Sequence, residues 1–216
     1  MNSRHVQASR RDRPSVDVIA GVVIAGGRSV RFGGEKAIAE LDGRSLLAWA
    51  VERLSRSCGA VAVNARAGTA TEALARQLGL AVLHDAPGDA AGPLAGVRVG
   101  LKWAAQRGAA MLAVSPCDAP GLPDELYARL LEAADGGAAM AETIDGPQPL
   151  CAVWPVGALA AVSTALEGGA HPSTWRLLDA IGARRVRFED AAAFANLNTR
   201  AELEALAARR EHPHQR

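Results

Sequence analysis

VIAGVVIAGGRSVRFGGEK, residues 18–36, decides the reading of this chain. Residues 18–25 form an unbroken apolar run. A run without alternation is how a strand buried on both faces of a parallel sheet reads. The loop behind it, residues 26–36, carries four glycines and three cations, Arg28, Arg31 and Lys36. Glycine lets backbone N–H groups approach a phosphate closely. By composition this is a phosphate cradle, though a flexible surface loop with ordinary arginines has the same composition. It is not the dinucleotide fingerprint, because the G-x-G-x-x-G spacing is absent. It is not a P-loop either, because Glu35 precedes Lys36 and Ala37 follows it.

Outward from that stretch, strands and helices alternate. Short apolar runs at 60–63, 81–83 and 110–114 predict further strands. Helical spacing at 45–54, 69–78 and 94–106 places helices between them. Pro123, with Asp124 and Glu125 behind it, suits the first turn of another helix. Repeated βαβ units predict an α/β chain with three α/β/α layers and a mostly parallel sheet. The remainder is less regular. It suggests strands near 138–141, 150–154 and 184–188, and helices near 156–166, 174–181 and 199–208. No low-complexity linker divides it, so residues 16–210 read as a single domain. The arginine-rich residues 1–15 read as a disordered tail, and the last residues as a fraying polar end.

Composition narrows the function. The chain has 216 residues, 49% hydrophobic and 22% charged, enough for a core without staples. Its net charge of +1 and its 4% aromatic content argue against a nucleic-acid binder. Three cysteines without close spacing (Cys58, Cys117, Cys151) argue against a zinc finger or disulfide framework and suit a reducing cytoplasm. Arg10-Arg11 before an apolar run invites a twin-arginine export reading. Asp12, Arg13, Pro14 and Asp17 interrupt that pattern, so the expected location is cytoplasmic. No uncharged apolar run reaches 18 residues, so no membrane partner is expected. Only two of the 24 cationic residues are lysines, Lys36 and Lys102.

In open parallel sheets the ligand sits beyond the carboxyl ends of the strands. Three loops there carry unusual residues. The glycine loop is the first. The second is Ser115-Pro116-Cys117-Asp118-Ala119-Pro120, where prolines on both sides hold one aspartate rigidly. A fixed carboxylate suits Mg²⁺, which is usually held by one or two carboxylates plus substrate phosphates. A turn or cap aspartate is the plainer reading. Cys117 invites a nucleophile reading, but nothing pairs it with His84 or His171, and a small packing cysteine fits better. The third loop is Gly92-Pro93-Leu94-Ala95-Gly96, a tight entry into a helix whose N-terminus can face an anion, or an ordinary cap. Asn64, at the end of the second strand, can donate and accept, so it suits a base edge as well as a turn. Together these point to nucleotide chemistry without an ATPase or kinase framework.

At these residues the chain resembles the molybdenum cofactor guanylyltransferase family, within the nucleotidyltransferases of the glycosyltransferase-A-like, Rossmann-like fold. The family opens roughly L-A-G-G-x-S-x-R-M-G-x-D-K, and residues 24–36 stand as IAGGRSVRFGGEK. The resemblance continues through Asn64, Asp85, GPLAG at 92–96, Pro-Cys-Asp-x-Pro at 116–120 and Asn-Leu-Asn-Thr at 196–199. It spans about residues 18–206. Phe32 replaces the usual Met, Glu35 the usual Asp, and Gln148-Pro149-Leu150 stands where many members have His-Pro or a similar polar pair.

The resemblance implies attack by a terminal phosphate oxygen of molybdopterin, or its molybdenum form, on the α-phosphorus of GTP, with loss of pyrophosphate. It implies that Gly26 and Gly27 hold the triphosphate, and that Lys36 and Arg31 stabilise charge on the α-phosphate and leaving group. Asp118 would bind Mg²⁺. Ile24, Ala25, Asn64 and Asp85 would line the nucleoside pocket, with Asp85 accepting the guanine N–H pair. GTP and molybdopterin are then the partners, with cofactor-accepting enzymes downstream. The rival readings are a cytidylyltransferase of the same fold and a non-catalytic nucleotide- or pterin-binding protein.

Overall fold

The computed structural model describes residues 19–27, 32–86, 88, 92–167 and 173–211. The expected tail at 1–15, Arg28, Arg31 and His171 lie outside them. The decisive apolar run becomes β1 (Ile19–Ile24), buried over five of its six residues. It has parallel neighbours on both sides: β4 (Ala60–Asn64), with Val22 opposite Ala62, and β6 (Met111–Pro116), with Val22 opposite Val114. β5 (Ala81–Leu83) extends the sheet beyond β4. Beyond β6 lie β8 (Gly146–Pro155), β7 (Ala139–Thr143) and the edge strand β9 (Arg184–Arg187). The order is β5-β4-β1-β6-β8-β7-β9, and among these strands β8 alone runs against the others.

The two-residue period of each strand divides the core into two faces. Val23, Val63, Ala113 and Val153 point to one face, against α1 (Leu46–Ser55), α2 (Ala70–Gln77) and α4 (Leu126–Ala134). Val22, Leu112, Val114 and Trp154 point to the other, against α3 (Pro93–Gln106), α5 (Leu159–Glu167) and α6 (Thr174–Ala180). This is the expected three-layer, mostly parallel α/β/α architecture. α3 lies very close to the sheet at Gly100, where an added Cβ would sit 3.0 Å from both Val22 Cγ1 and Leu112 Cδ2. Among the described residues no helix is long and apolar enough to cross a membrane.

Three local features depart from the sequence reading. A two-stranded hairpin, β2 (Glu40–Leu41) and β3 (Arg44–Ser45), stands between the glycine loop and α1, where no element was expected. Its turn is Asp42-Gly43, both at positive φ, the geometry that favours tight hairpins. α4 starts at Leu126, not at Pro123. Residues 123–126 form a turn closed by Leu126 N–H on the Pro123 carbonyl (3.2 Å), and Asp124 is drawn away to Arg56 (2.6 Å). β8 begins at Gly146, before the expected 150. Its first half pairs with β7 while β6 has ended, and that free side tolerates Pro147 and Pro149.

The final helix, α7 (Arg200–Glu211), matches the helix expected near 199–208 and continues into the first residues read as fraying. Leu203 and Leu197 join Phe32 of the glycine loop and Leu41 and Leu46 in a small satellite core. The C-terminal segment therefore braces the far end of the glycine loop.

Candidate active site

The carboxyl ends of β1, β4, β5 and β6 open into a cleft of about 430 Å³. Its lining brings together Ile24, Ala25, Gly26, Gly27, Lys36, Asn64, Asp85 and Asp118, residues spread over four loops of the sequence. Arg31 lies outside the described residues.

Lys36 follows two glycines, Gly33 at positive φ and Gly34, and opens a short 3₁₀ turn, Lys36–Ile38. Its ammonium donates to Asp118 Oδ2 and to Asn198 Oδ1, each at 2.9 Å. Both ion-pair partners are mostly buried, with side-chain exposures of 12% and 21%. The Asp118 carbonyl accepts from Leu197 N–H at 2.8 Å, which ties the loop after β6 to the segment before α7. That segment is set by a capping box. Thr199 Oγ1 accepts from Glu202 N–H (3.2 Å), and the Glu202 carboxylate accepts from Asn198 N–H (2.5 Å) and Thr199 N–H (3.0 Å). The Asn198 amide holds the Glu202 carboxyl below its usual range, with Thr199 adding to it.

Asn64 is 3% exposed. Its Nδ2 donates to the Leu83 carbonyl (3.2 Å) and to Asp85 Oδ1 (2.9 Å). With both amide protons taken, Asn64 fixes Asp85 at the rim. The last glycine of GPLAG makes this possible. A Cβ on Gly96 would lie 2.5 Å from Asn64 Oδ1 and 2.8 Å from Ile24 Cδ1. Gly96→Ala is therefore expected to displace two cleft residues and cost about 1–3 kcal/mol, as overpacking does. Nucleotide affinity should fall with it, checked by calorimetry alongside a thermal melt.

Glu35 clamps the start of α2. It accepts from Ala70 N–H (3.0 Å), Thr71 N–H (2.7 Å) and Thr71 Oγ1 (2.5 Å), at the positive end of the helix dipole. Burial pushes this carboxyl up, but the Thr71 and Ala70 hydrogen bonds outweigh it and hold it below its ordinary value. A depressed carboxyl stabilises the fold above its unfolded pKa, and that contribution is lost as pH falls through the folded one. Glu35→Gln should cost about 1–3 kcal/mol at neutral pH. Denaturation curves should show the gap closing in acid, below the ordinary carboxylate range, where wild-type Glu35 itself protonates.

Cys117 lines the cleft as a free thiol. Burial pushes it up to about 12, so at neutral pH it is no thiolate nucleophile. His84 sits on Glu72 (3.1 Å), away from the cleft lining.

Asn198, Glu35 and Arg66 are cleft-region residues to which sequence reasoning gave no role. The Asn-Leu-Asn-Thr motif and its Thr199–Glu202 capping pattern were the available signals for Asn198. Glu35 registered only as a departure from the family pattern. Arg66, exposed on the cleft wall after β4, carried no signal.

The cleft offers hard oxygen donors, one carboxylate and one amide carbonyl. Among the described residues no cluster of three or more His, Cys, Asp or Glu is found. Asp118 and Asn198, however, turn two oxygens toward one cationic position, now filled by the Lys36 ammonium. Two protein oxygens completed by phosphates match Mg²⁺.

Comparison with known proteins places the chain in a family. The MobA-like NTP transferase domain matches residues 21–186. A molybdenum cofactor guanylyltransferase of Cereibacter sphaeroides is 38% identical over 179 residues, covering 82% of this chain and 90% of that protein. One from Ralstonia nicotianae is 40% identical, covering 89% and 97%. Among solved structures, the molybdopterin-guanine dinucleotide biosynthesis protein A of Archaeoglobus fulgidus superposes with a TM-score of 0.70 at 22% identity, covering 89% and 98%. A 2-C-methyl-D-erythritol 4-phosphate cytidylyltransferase of Thermus thermophilus superposes at 0.63 and 22% identity, covering 88% and 98%, and shares the fold. With a family domain over most of its length and guanylyltransferase relatives matched nearly end to end, this chain belongs to the MobA-like NTP transferases and is a molybdenum cofactor guanylyltransferase family member.

Proposed function

We propose that this chain transfers GMP from GTP to the terminal phosphate of molybdopterin or its molybdenum form, in the cytoplasm. A phosphate oxygen of the acceptor forms a new bond to the α-phosphorus. The bond from that phosphorus to the bridging oxygen of the β-phosphate breaks, and pyrophosphate leaves. The observation that carries the guanine choice is Asp85, held by Asn64 at 2.9 Å on the cleft rim. A carboxylate only accepts hydrogen bonds, and guanine presents two adjacent donors, its ring N–H and its exocyclic amine. Cytosine presents an acceptor beside its amine, and a carboxylate repels that acceptor.

Positioning and charge neutralisation suffice for such a transfer, with no covalent nucleophile. The amides at Gly26 and Gly27 would cradle the triphosphate. The Lys36 ammonium would leave Asp118 and Asn198 for the α-phosphate and the departing pyrophosphate. Asp118 and Asn198 would hold Mg²⁺, which supplies charge neutralisation along the phosphates when bound. Leu150, across the cleft from Asn64 and Asp85 in strand order, would face the acceptor. Calorimetry in Mg²⁺ with GTP, CTP, ATP and UTP tests the reading. GTP should bind tightest. Preference for CTP would move the chain to cytidylyl transfer.

A further inference from the structure

Arg53, in α1, is 7% exposed, and the chemistry above does not use it. Its Nη2 donates to the Pro120 carbonyl at 3.0 Å. Among the described residues, its Nε and Nη1 have no hydrogen-bond partner. Burial lowers its proton affinity from the ordinary guanidinium value, with Tyr127 and Asp124 opposing that loss.

A buried guanidinium with most of its donors unmet costs stability, and an apolar side chain of similar volume would fill the space better. What an apolar side chain cannot do is hold the Pro120 carbonyl. Pro120 stands two residues beyond Asp118 in the rigid Pro-Cys-Asp-Ala-Pro segment. That segment is also held by Leu197 N–H on the Asp118 carbonyl (2.8 Å) and by Lys36 on the Asp118 carboxylate (2.9 Å), and Gly121 behind it packs closely on Ala193. The Leu197 and Ala193 contacts come from the chain before α7, and the Lys36 contact from the glycine loop. Arg53 supplies an anchor from α1.

We infer that Arg53 is a positioning residue: it fixes the Pro120 carbonyl so that the Asp118 carboxylate stays aimed at its cation. The inference rests on the reading of Asp118 as the group that holds the metal of a metal–nucleotide complex. It separates two properties that normally fall together. Losing the guanidinium should leave the fold at least as stable while loosening the site.

The test uses the full chain as wild type, Arg53→Met, Arg53→Lys and Asp118→Ala, with Mn²⁺ titrated in the presence of GTP by electron paramagnetic resonance, and thermal melts in parallel. Arg53→Met is expected to melt at or above wild type and to bind the Mn²⁺–GTP complex about tenfold more weakly, the effect of one charge-assisted hydrogen bond. Arg53→Lys, whose ammonium can still reach the carbonyl, should bind more tightly than Arg53→Met. Wild-type affinity in Arg53→Met beside weakened binding in Asp118→Ala would overturn this inference alone. Unchanged binding in Asp118→Ala would overturn the site reading and this inference with it. An Arg53→Met chain that fails to fold would show a structural role, and so would equal loss in both Arg53 variants; either result contradicts the inference.

Discussion

Lys36→Ala is expected to lower kcat by roughly 10²–10³, the usual cost of removing one preorganised donor from developing charge. The side chain is placed for this by contacts it makes before any nucleotide binds. Two of its three donors rest on Asp118 and Asn198 at 2.9 Å, which keep the ammonium in the cleft, within a side-chain swing of the phosphates it would meet once the two oxygens take the metal. The fall should lie mainly in kcat, because the charge to be neutralised grows as the pyrophosphate leaves. Lys36→Arg should rescue little. Its planar guanidinium is wider and spreads over a fork the charge that an ammonium concentrates at one point. Steady-state kinetics settle the matter, and a variant within threefold of wild type would remove Lys36 from the chemistry.

Asp118→Asn should have the second largest effect. The substitution keeps the shape and removes the charge, so the packing between Pro116 and Pro120 persists. Metal-dependent nucleotide binding should fall by about tenfold or more, as one charge-assisted contact is lost. Lys36 should then keep only its Asn198 contact, and the two substitutions should not add, because the side chains touch. A double-mutant cycle on GTP affinity with and without Mn²⁺ reads this coupling. Strict additivity would mean the pair is a bystander of the cleft.

The layers of the fold were legible because burial leaves direct marks. β1 has no polar residue to alternate with, and the stretches at 45–54 and 69–78 carry their apolar residues at helical spacing, the face that α1 and α2 bury. The loops at strand ends were legible for the same reason that ligands choose them: in a parallel sheet they share one side. What escaped was set by partners far along the chain. Glu35 meets Thr71 across 36 positions, Lys36 meets Asn198 across 162, and Arg53 meets Pro120 across 67. Asn64 was readable as a polar group at a strand end. That its donors serve Asp85 follows from the close approach of β5 and α3, which no local pattern encodes. Pro147 and Pro149 hid the first half of β8, because proline signals a break unless the open side of the strand is known.

The most direct test is transfer itself. Purified chain, Mg²⁺ and molybdopterin are mixed with GTP labelled at the α-phosphate, in parallel with CTP labelled the same way. GMP transfer predicts label in a pterin dinucleotide, one pyrophosphate released for each label moved, and little reaction with CTP. Pyrophosphate release without label on the pterin, or label arriving from CTP in preference to GTP, would contradict it.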